Sequence, residues 1–293
     1  MATVSDISAA VPDEQIPPNP VSDSRTFARA FADLRLGWSQ RELWLHLGWQ
    51  DIKQKYRRSV LGPFWITIAT GVMALALGLL YSVILDQDLA YFLPFLTVGL
   101  IIWGLIQGCI IDGSEVFITN EGLIKQLPSA LSVHVYRLVW RQFLLLMHNM
   151  IIYVIMIAVF WSSHDLSWAS LMAFPALALL VINGVWVSIL FGIFATRFRD
   201  VAPLLASLVQ LLFYVTPIVW STKVITDRPG QEDRAKIAEI NPLYHYLDII
   251  RAPMLGEQQQ AYHWYIVLGI TVIGWGLALL ALRQFRARVP YWV

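Results

Sequence analysis

The residues with the clearest chemical capacity lie in a basic and aromatic stretch before the first long apolar block. Two aromatic residues and four cations make up this stretch, namely Trp49, Lys53, Lys55, Tyr56, Arg57 and Arg58. Ammonium and guanidinium groups bind phosphate oxygens through charge-assisted hydrogen bonds, and aromatic rings suit the boundary between lipid and water. The stretch is therefore predicted to contact an anionic phosphate headgroup. The competing interpretation is a plain anchor that fixes the depth of the next apolar block.

Motifs of hydrolytic, metal and nucleotide chemistry are missing from the sequence. It contains no G-x-x-x-x-G-K-[ST] phosphate loop, no His-x-x-Glu-His spacing and no G-x-S-x-G elbow. The acidic or histidine pairs that remain are Asp112 with Glu115 and His164 with Asp165, and both are poor candidates for acid–base catalysis. We therefore predict no catalytic residue, metal ligand, bound cofactor or nucleic-acid partner. A membrane-embedded glycosyltransferase or lipid-phosphate enzyme is the alternative of another class.

The elements that must position the basic stretch are membrane helices. Hydrophobic residues make up 57% of the 293 residues and charged residues 14%, whereas about a quarter of a soluble domain is charged. The apolar blocks approach or exceed the roughly 20 residues that cross a bilayer as helix, and they lack the alternation of barrel strands. The predicted fold class is an all-α integral membrane protein. Its six transmembrane helices are predicted at about 63–85, 91–111, 138–161, 171–195, 201–220 and 264–282.

Lysine and arginine are spread unevenly over the connections, and this predicts the orientation. With the N-terminus inside, sixteen of the 21 basic residues fall on the inner side. The other five lie in the long outer loop at 221–262, and the two short outer turns carry none. Both termini of this multi-pass protein are therefore predicted to be cytoplasmic.

Ionisable groups are almost absent from the predicted spans. The deep polar residues are His148 and Asn149 in the third span, with Asn183 and Gln210 elsewhere. Ion-coupled transporters bind the coupling ion near the bilayer midplane with carboxylates, His or Lys. We interpret the His-Asn pair as interhelical hydrogen bonding, with a proton relay as the alternative. Any energy source is therefore expected outside the membrane part.

Three segments before the third span lie outside the predicted spans. Residues 1–39 are expected to form a flexible cytoplasmic tail, because prolines mix with polar residues in its first 30 residues and these contain no apolar core. Residues 40–60 are predicted as an amphipathic interfacial helix. Its apolar face would carry Leu45, Trp49, Ile52 and Tyr56. The cytoplasmic loop at 112–136 is expected to hold a short helix that a peripheral partner binds, with a solvated loop as the alternative.

In the outer loop at 221–262, Asn241 and Pro242 form a helix start signal. The helix that follows, at 243–254, is too short to span. We predict a re-entrant or helical hairpin that dips into the outer leaflet, with Asp248 and Arg251 displaced from its apolar face. An ordinary loop cap is the alternative.

Six motifs occur in order between residues 40 and 293. They are Tyr-Arg-Arg-Ser-Val-Leu-Gly-Pro-Phe-Trp at 56–65, Gly-Leu-Ile-Ile-Trp at 99–103, Asn-Glu-Gly-Leu-Ile-Lys-Gln at 120–126, Arg-Phe-Arg-Asp at 197–200, Thr-Pro-Ile-Val-Trp at 216–220 and Asn-Pro-Leu-Tyr-His-Tyr at 241–246. This order resembles the type 2 ABC transporter permeases that export polysaccharide. The segments at 41–51 and 288–293 are more specifically similar to mycobacterial permeases for lipid-linked galactan, a cell-wall precursor.

The resemblance implies a homodimer of six-span permeases in the plasma membrane with two copies of a separate ATPase, which holds the ATP and Mg²⁺. The cargo would be a polysaccharide on a polyprenyl diphosphate, and the alternative is a teichoic-acid-like polymer or a lipid. Residues 40–58 would be the gate helix, and residues 241–254 an outer re-entrant helix. The candidate contacts to the ATPase are Glu115, Asn120, Glu121 and Lys125.

A conduit for a sugar chain needs aromatic surfaces and few fixed charges, because sugars have polar rims and apolar ring faces. With this resemblance in view, the candidate channel-lining aromatic residues are Trp103, Phe213, Tyr214 and Trp220. Core packing or a membrane-interface belt is the alternative for each.

Overall fold

A computed structural model describes residues 25–57, 59–62, 64–126, 129–164, 167–222 and 236–293. All regular structure in these residues is helical, which confirms the predicted all-α class for them. The helices are α1 Phe27–Ser39, α2 Arg41–Lys55, α3 Phe64–Ile84, α4 Leu89–Ser114, α5 Glu121–Gln126, α6 Leu131–Val159, α7 Ala173–Arg197, α8 Val201–Val215, α9 Pro242–Met254, α10 Ala261–Phe285 and α11 Val289–Trp292.

Five helices in the described residues are long and apolar enough to cross a membrane, namely α3, α4, α6, α7 and α10. They correspond to the first four predicted spans and the last one. The largest difference between a predicted and an observed boundary is at the start of α6, which begins at Leu131 rather than near 138. The fifth predicted span corresponds to α8, which has 15 residues. Such a helix is about 22 Å long, and the hydrocarbon core is about 30 Å thick. Six crossings therefore stay a prediction.

The long helices α3, α4, α6 and α7 alternate in direction, and α10 runs parallel to α7 because α8 lies between them in the chain. The bundle therefore has two ends. The α2 end contains α1, α2, α5 and the last turns of α4, α7 and α10. The α9 end contains α9 and the first turns of α4 and α10, and there Tyr91 Oη donates to Glu257 Oε1 at 2.9 Å. Arg283 Nε donates to the Arg25 carbonyl at the α2 end, 3.2 Å away.

Helices α4 and α7 cross closely through small residues. Gly184, Ser188 and Gly192 recur every four residues on α7 and meet Cys109 and Gly113 of α4. Ser188 Oγ donates to the Cys109 carbonyl at 2.9 Å. A Cβ on Gly192 would lie 3.0 Å from the Gly113 carbonyl oxygen. Small residues let two backbones approach closely, which is a main source of helix association in lipid.

Asn183 joins three helices within the apolar interior. Its Nδ2 donates to Thr271 Oγ1 of α10 at 2.8 Å, and its Oδ1 accepts from Tyr246 Oη of α9 at 2.8 Å. Trp186 Nε1 donates to the same Oδ1 at 2.6 Å. The His148 ring instead contacts the Leu144 carbonyl of its own helix. The Asn183 side chain therefore forms hydrogen bonds between helices, whereas the His148 ring bonds within its own helix.

Residues 27–39 form a docked helix, so the prediction of a flexible tail to residue 39 is wrong for them, and residues 1–24 lie outside the described residues. The carboxylate of Asp33 is buried and accepts from the backbone amides of Leu131 at 3.2 Å and Ser132 at 3.0 Å. It thus caps the N-terminus of α6, which lacks a side-chain cap of its own. Helix α1 begins after its N-cap residue, Thr26. The sequence prediction missed it because the prolines upstream led to a flexible segment being predicted up to residue 39.

Removal of this cap is expected to destabilise the α2 end. Asp33→Ala leaves two buried amides without an acceptor, which costs about 1 to 2 kcal/mol and lowers the melting temperature by about 2 to 8 °C. Thermal unfolding of the purified protein measures this change. The matched control is Asp200→Ala, because Asp200 occupies the N-cap position of α8 without a side-chain hydrogen bond. Equal melting temperatures for the two variants would contradict the capping role.

Candidate functional site

Helix α2 packs against α6 through a face that differs from the predicted one. Trp44, Gly48 and Ile52 are its buried residues, and the Trp140 side chain and the Arg137 carbonyl lie against Gly48. Trp49, predicted on the apolar face, is 39% exposed. Ile52 of the predicted apolar face is buried, whereas Trp49 points away from the body of the chain, so the amphipathic interfacial helix stays a prediction. The absence of a side chain at Gly48 allows the close approach to α6, so packing against protein decides which face is buried.

The predicted headgroup residues lie in two groups, and α2 ends at Lys55 rather than near residue 60. Lys53 Nζ lies 5.5 Å from the centre of the exposed Trp49 ring. Lys55 and Tyr56 border a cavity described below. Arg57 is exposed in the turn after the helix, and Arg58 lies outside the described residues. The cations therefore surround the end of α2 without forming one contact cluster among the described residues.

A set of ion pairs joins α2, α4 and α6 to the segment before α5. We call it the polar junction, and it consists of Asp51, Asp112, Asn120, Arg137 and Arg141. Arg137 Nε and Nη2 donate to the two carboxylate oxygens of Asp51 at 2.8 and 2.5 Å, and Nη1 donates to Asn120 Oδ1 at 3.4 Å. Arg141 Nη2 donates to Asp112 Oδ2 at 3.0 Å. One side chain of α6 thus holds both α2 and the turn that leads to α5.

The polar junction balances two guanidinium groups with two carboxylates. Asp51 and Arg137 have side chains 17% and 21% exposed, and Arg141 Nη1 lies 3.9 Å from Asp51 Oδ2. Two-pronged pairing of guanidinium with carboxylate fixes geometry as well as charge. Sequence reasoning treated Arg137 and Arg141 only as inner-side charges. Their spacing of four residues was the available signal, since it places both on one face of α6.

Two polar cavities lie beside the polar junction. One of about 430 Å³ lies between α2, α4 and α6, and its lining includes Lys55, Tyr56, Gln107, Asp112, Arg141 and Gln142. Gln142 Nε2 donates to Asp112 Oδ2 at 2.6 Å. The other, of about 340 Å³, faces the turn before α5, and its lining includes Glu115, Asn120 and His134. Lys55 therefore shares a cavity with three residues of the polar junction, Asp51, Asp112 and Arg141.

The predicted partner-binding residues lie on the turn before α5 and on α5 itself. Asp112 belongs to α4 and residues 131–136 belong to α6, so the predicted loop at 112–136 is too long at both ends. Glu115 is exposed at the C-terminus of α4. Asn120 Nδ2 donates to the Val116 carbonyl at 2.7 Å, which leaves Oδ1 for Arg137. The short helix that the sequence predicted in this region is present as α5.

Helix α5 presents an exposed ion pair. Lys125 Nζ lies 2.7 Å from Glu121 Oε1. The hydrogen bond and charge of Lys125 lower the pKa of the Glu121 carboxyl. Ile124 is buried and attaches α5 to the body of the protein, while Leu123 is exposed. The helix therefore offers a charged and apolar surface at the α2 end.

The four candidate channel-lining aromatic residues form a connected group with unequal exposure. Trp103 is 3% exposed and packs edge to face on Phe213, with ring centres 5.7 Å apart. Phe213 contacts Tyr214 in the same way at 5.3 Å, and Trp220 Nε1 donates to the Tyr214 carbonyl. Tyr214 is exposed, whereas Trp103 is a core residue within this chain. Burial of Trp103 favours the core-packing alternative for this residue, and the channel-lining role of the group stays a prediction.

Helix α9 begins as the sequence predicts. Asn241 Oδ1 accepts from the Leu243 amide at 3.0 Å, and Pro242 occupies the first turn. The predicted displacement of Arg251 from the apolar face is wrong, because Arg251 is 5% exposed. Its guanidinium lies over the Phe95 ring at 3.9 Å and fits beside Gly99 of α4. The missing side chain at Gly99 makes room for this cation.

Comparison with known proteins identifies the family of this chain. The profile of the ABC-2 type transporter family matches residues 42–255. A protein named O-antigen export system permease protein RfbA from Klebsiella pneumoniae is 25% identical over 180 residues, which cover 61% of this chain and 69% of the relative. A protein of the same name from Myxococcus xanthus is 21% identical over 209 residues, which cover 70% and 77%. The chain belongs to the ABC-2 type transporter family.

Proposed function

We propose that this chain is the permease subunit of an ATP-driven exporter that moves a lipid-linked polysaccharide out of the cell. The family, the export function in the names of the relatives and the five helices able to span a membrane support the proposal. The sequence has no phosphate loop, so ATP would be hydrolysed by a separate subunit. The polar junction is the observation that carries the proposal, because it joins the candidate ATPase-binding segment to α2.

In this proposal the α2 end is cytoplasmic, in the plasma membrane, and two copies of the chain form the transporter with two ATPase subunits. The ATPase contacts the segment from Glu115 to Lys125. A displacement of that segment reaches Arg137 through Asn120 and reaches α2 through Asp51. Because interfaces of paired charges have discrete arrangements, a small shift at one end favours one orientation of α2 over another.

The cations at the end of α2 would receive the diphosphate of the lipid carrier. Lys55 borders the cavity of about 430 Å³ beside Arg141, and Lys53 and Arg57 lie exposed nearby. Phosphate oxygens accept hydrogen bonds from both ammonium and guanidinium groups. The proposed cargo is galactan on a polyprenyl diphosphate, which the resemblance of residues 41–51 and 288–293 supports. The enzyme alternative has little support, because Arg141 and Gln142 already bind Asp112.

Reconstitution tests this function. The permease and its ATPase are placed in proteoliposomes with lipid-linked galactan, and export into the lumen of inverted vesicles is measured with and without ATP. We expect ATP-dependent export and stimulation of ATP hydrolysis by the galactan carrier. Transport of a teichoic-acid-like polymer or of a free lipid in preference to galactan would refute the cargo, and ATP-independent transport would refute the coupling.

The exposed pair on α5 is expected to bind the ATPase rather than stabilise the permease. The double variant Glu121→Ala and Lys125→Ala should melt with the wild type, because exposed ion pairs add little to stability. Recovery of the ATPase in affinity co-purification should fall about fivefold or more, since loss of charged rim contacts weakens association. Arg41→Ala with Glu42→Ala, exposed on α2, is the matched control. Undiminished co-purification would place the docking surface elsewhere.

A further inference from the structure

A groove between α7 and α10 at the α2 end has no part in the site described above. It measures about 560 Å³. Its apolar lining comes from both helices, namely from Leu190 and Phe194 of α7 and from Leu277, Leu280, Ala281 and Phe285 of α10. Leu277 and Leu280 are each 48% exposed, so the groove opens away from the core. Because α7 and α10 are long and apolar enough to cross a membrane, we expect hydrocarbon beside this groove.

Polar side chains follow the apolar wall at the α2 end. Arg283 and Gln284 complete the lining in the last turn of α10, and Arg197 is the last residue of α7. Leu277, Leu280 and Gln284 lie on one face of α10 because they are three and four residues apart. The Gln284 amide therefore continues the apolar wall. An apolar groove that ends in cations and an amide suits a ligand with a hydrocarbon chain and an anionic head.

Contacts with aromatic rings position the two guanidinium groups. The Arg197 guanidinium carbon lies 5.7 Å from the centre of the Phe285 ring, which itself lines the groove. The Arg283 guanidinium carbon lies 4.6 Å from the centre of the Phe27 ring of α1. Both arginines are exposed. Side chains that are already restricted lose less entropy when a ligand binds, so this arrangement favours binding.

The charges around the groove favour an anion. Neither Arg197 nor Arg283 belongs to an ion pair of the described residues, and no carboxylate belongs to the described lining. Asp33 of α1 is buried and already pairs with Arg286 at 3.6 Å. Residues 1–24, which lie outside the described residues, contain four acidic and no basic residues. They are a competing source of negative charge, so the test must use the full-length chain.

We propose that this groove binds an anionic phospholipid of the surrounding bilayer. One hydrocarbon chain would lie between α7 and α10, and the phosphate would accept hydrogen bonds from Arg283, Gln284 and Arg197. Basic pockets between membrane helices select anionic headgroups for the same electrostatic reason. The bound lipid would hold the ends of α7 and α10 together. This inference goes beyond the proposed function, because binding requires neither the ATPase nor the cargo.

The test uses the full-length protein in micelles of an uncharged detergent. A phosphatidylglycerol with a photoreactive group on one acyl chain is added, and mass spectrometry measures crosslinks to residues 190–197 and 277–285. Unlabelled phosphatidylglycerol should compete at a concentration at least about fivefold lower than phosphatidylcholine with the same chains. The double variant Arg197→Gln and Arg283→Gln should reduce this preference to about twofold or less.

Two control comparisons separate the site from general attraction to lipid. Arg35→Gln with Arg41→Gln removes two exposed arginines of α1 and α2 and should keep the preference. Leu277→Trp places a larger side chain in the groove and should lower the crosslinking yield about fivefold. Val272→Trp, at a position of α10 that is 73% exposed and outside the groove, is its matched control. Both tryptophan variants should melt with the wild type, since both positions are exposed.

Equal competition by the two phospholipids, a preference that the double variant keeps, or equal losses in the control variants would each overturn the lipid site. A polyprenyl diphosphate that competes better than phosphatidylglycerol would assign the groove to the lipid carrier and overturn it too. Crosslinking at background level in the full-length protein would show that another occupant, the acidic segment before Arg25 or a second copy of the chain, covers the groove. That result would also overturn the site. Export is measured separately in the proteoliposome assay, so failure of the lipid site leaves the proposed function standing.

Discussion

Arg137→Leu is expected to separate ATP hydrolysis from export in the reconstituted complex. The variant loses the hydrogen bonds from Arg137 to both Asp51 and Asn120. The longer Arg141–Asp51 contact at 3.9 Å remains, so α2 should follow less closely the segment that is proposed to contact the ATPase. Hydrolysis should continue within about twofold of wild type while the rate of export falls about tenfold or more, which corresponds to a rise of about 1.4 kcal/mol in the activation free energy of export. The two rates are measured on the same proteoliposomes.

Stability must be kept apart from coupling in this experiment. Loss of one partner from a partly exposed ion pair costs about 1 to 3 kcal/mol, less than for a fully buried pair. The exchange Asp51→Arg with Arg137→Asp restores the attraction and should recover part of the export. Arg35→Leu, on an exposed position of α1, is the matched control. A proportional loss of hydrolysis and export, with no recovery in the exchanged pair, would show that Arg137 only supports the fold.

Gly192→Val is expected to have the largest effect on stability. Its Cβ would lie 2.9 Å from Val116 Cγ1 and 3.0 Å from the Gly113 carbonyl oxygen, and a backbone atom cannot give way as a side chain does. Overpacking costs about 1 to 3 kcal/mol, and the upper end applies here. We expect a melting temperature lower by about 6 to 12 °C and a poor yield of monodisperse protein. Asp112, the neighbour of Gly113, would also shift, so the polar junction would be disturbed.

Gly269→Val is the matched control for that substitution. Gly269 lies in α10, and a Cβ there meets no atom within 4 Å in the described chain. The same change of residue type should therefore leave the melting temperature close to wild type, apart from a small gain in helix propensity. If the two valine variants unfold at the same temperature, close packing of α4 on α7 is not the reason for glycine at position 192.

The sequence by itself was sufficient to predict that the helices lie in a lipid bilayer and in which order they follow one another. Apolar blocks of sufficient length require membrane helices because backbone groups in lipid must bond within their own segment. Local signals predicted the short helix α5 and the start of α9 at Asn241. At Asn241 a side-chain cap and the next residue, a proline, act within a few residues of each other. Such signals are local, so a linear sequence contains them.

Only the tertiary structure decided which polar groups meet. Asp33 caps a helix that begins at Leu131, and Asp51 pairs with Arg137, so each contact joins segments far apart in the chain. Glycine residues permit two contacts that the sequence did not predict. Gly48 lets α2 pack closely against α6, and Gly99 leaves space for the buried Arg251. Periodicity shows which face of a helix is apolar, but the shape of the neighbouring helix decides which face is covered. The basic stretch before the first span was therefore visible in the sequence, and the polar junction that connects it to α5 was not.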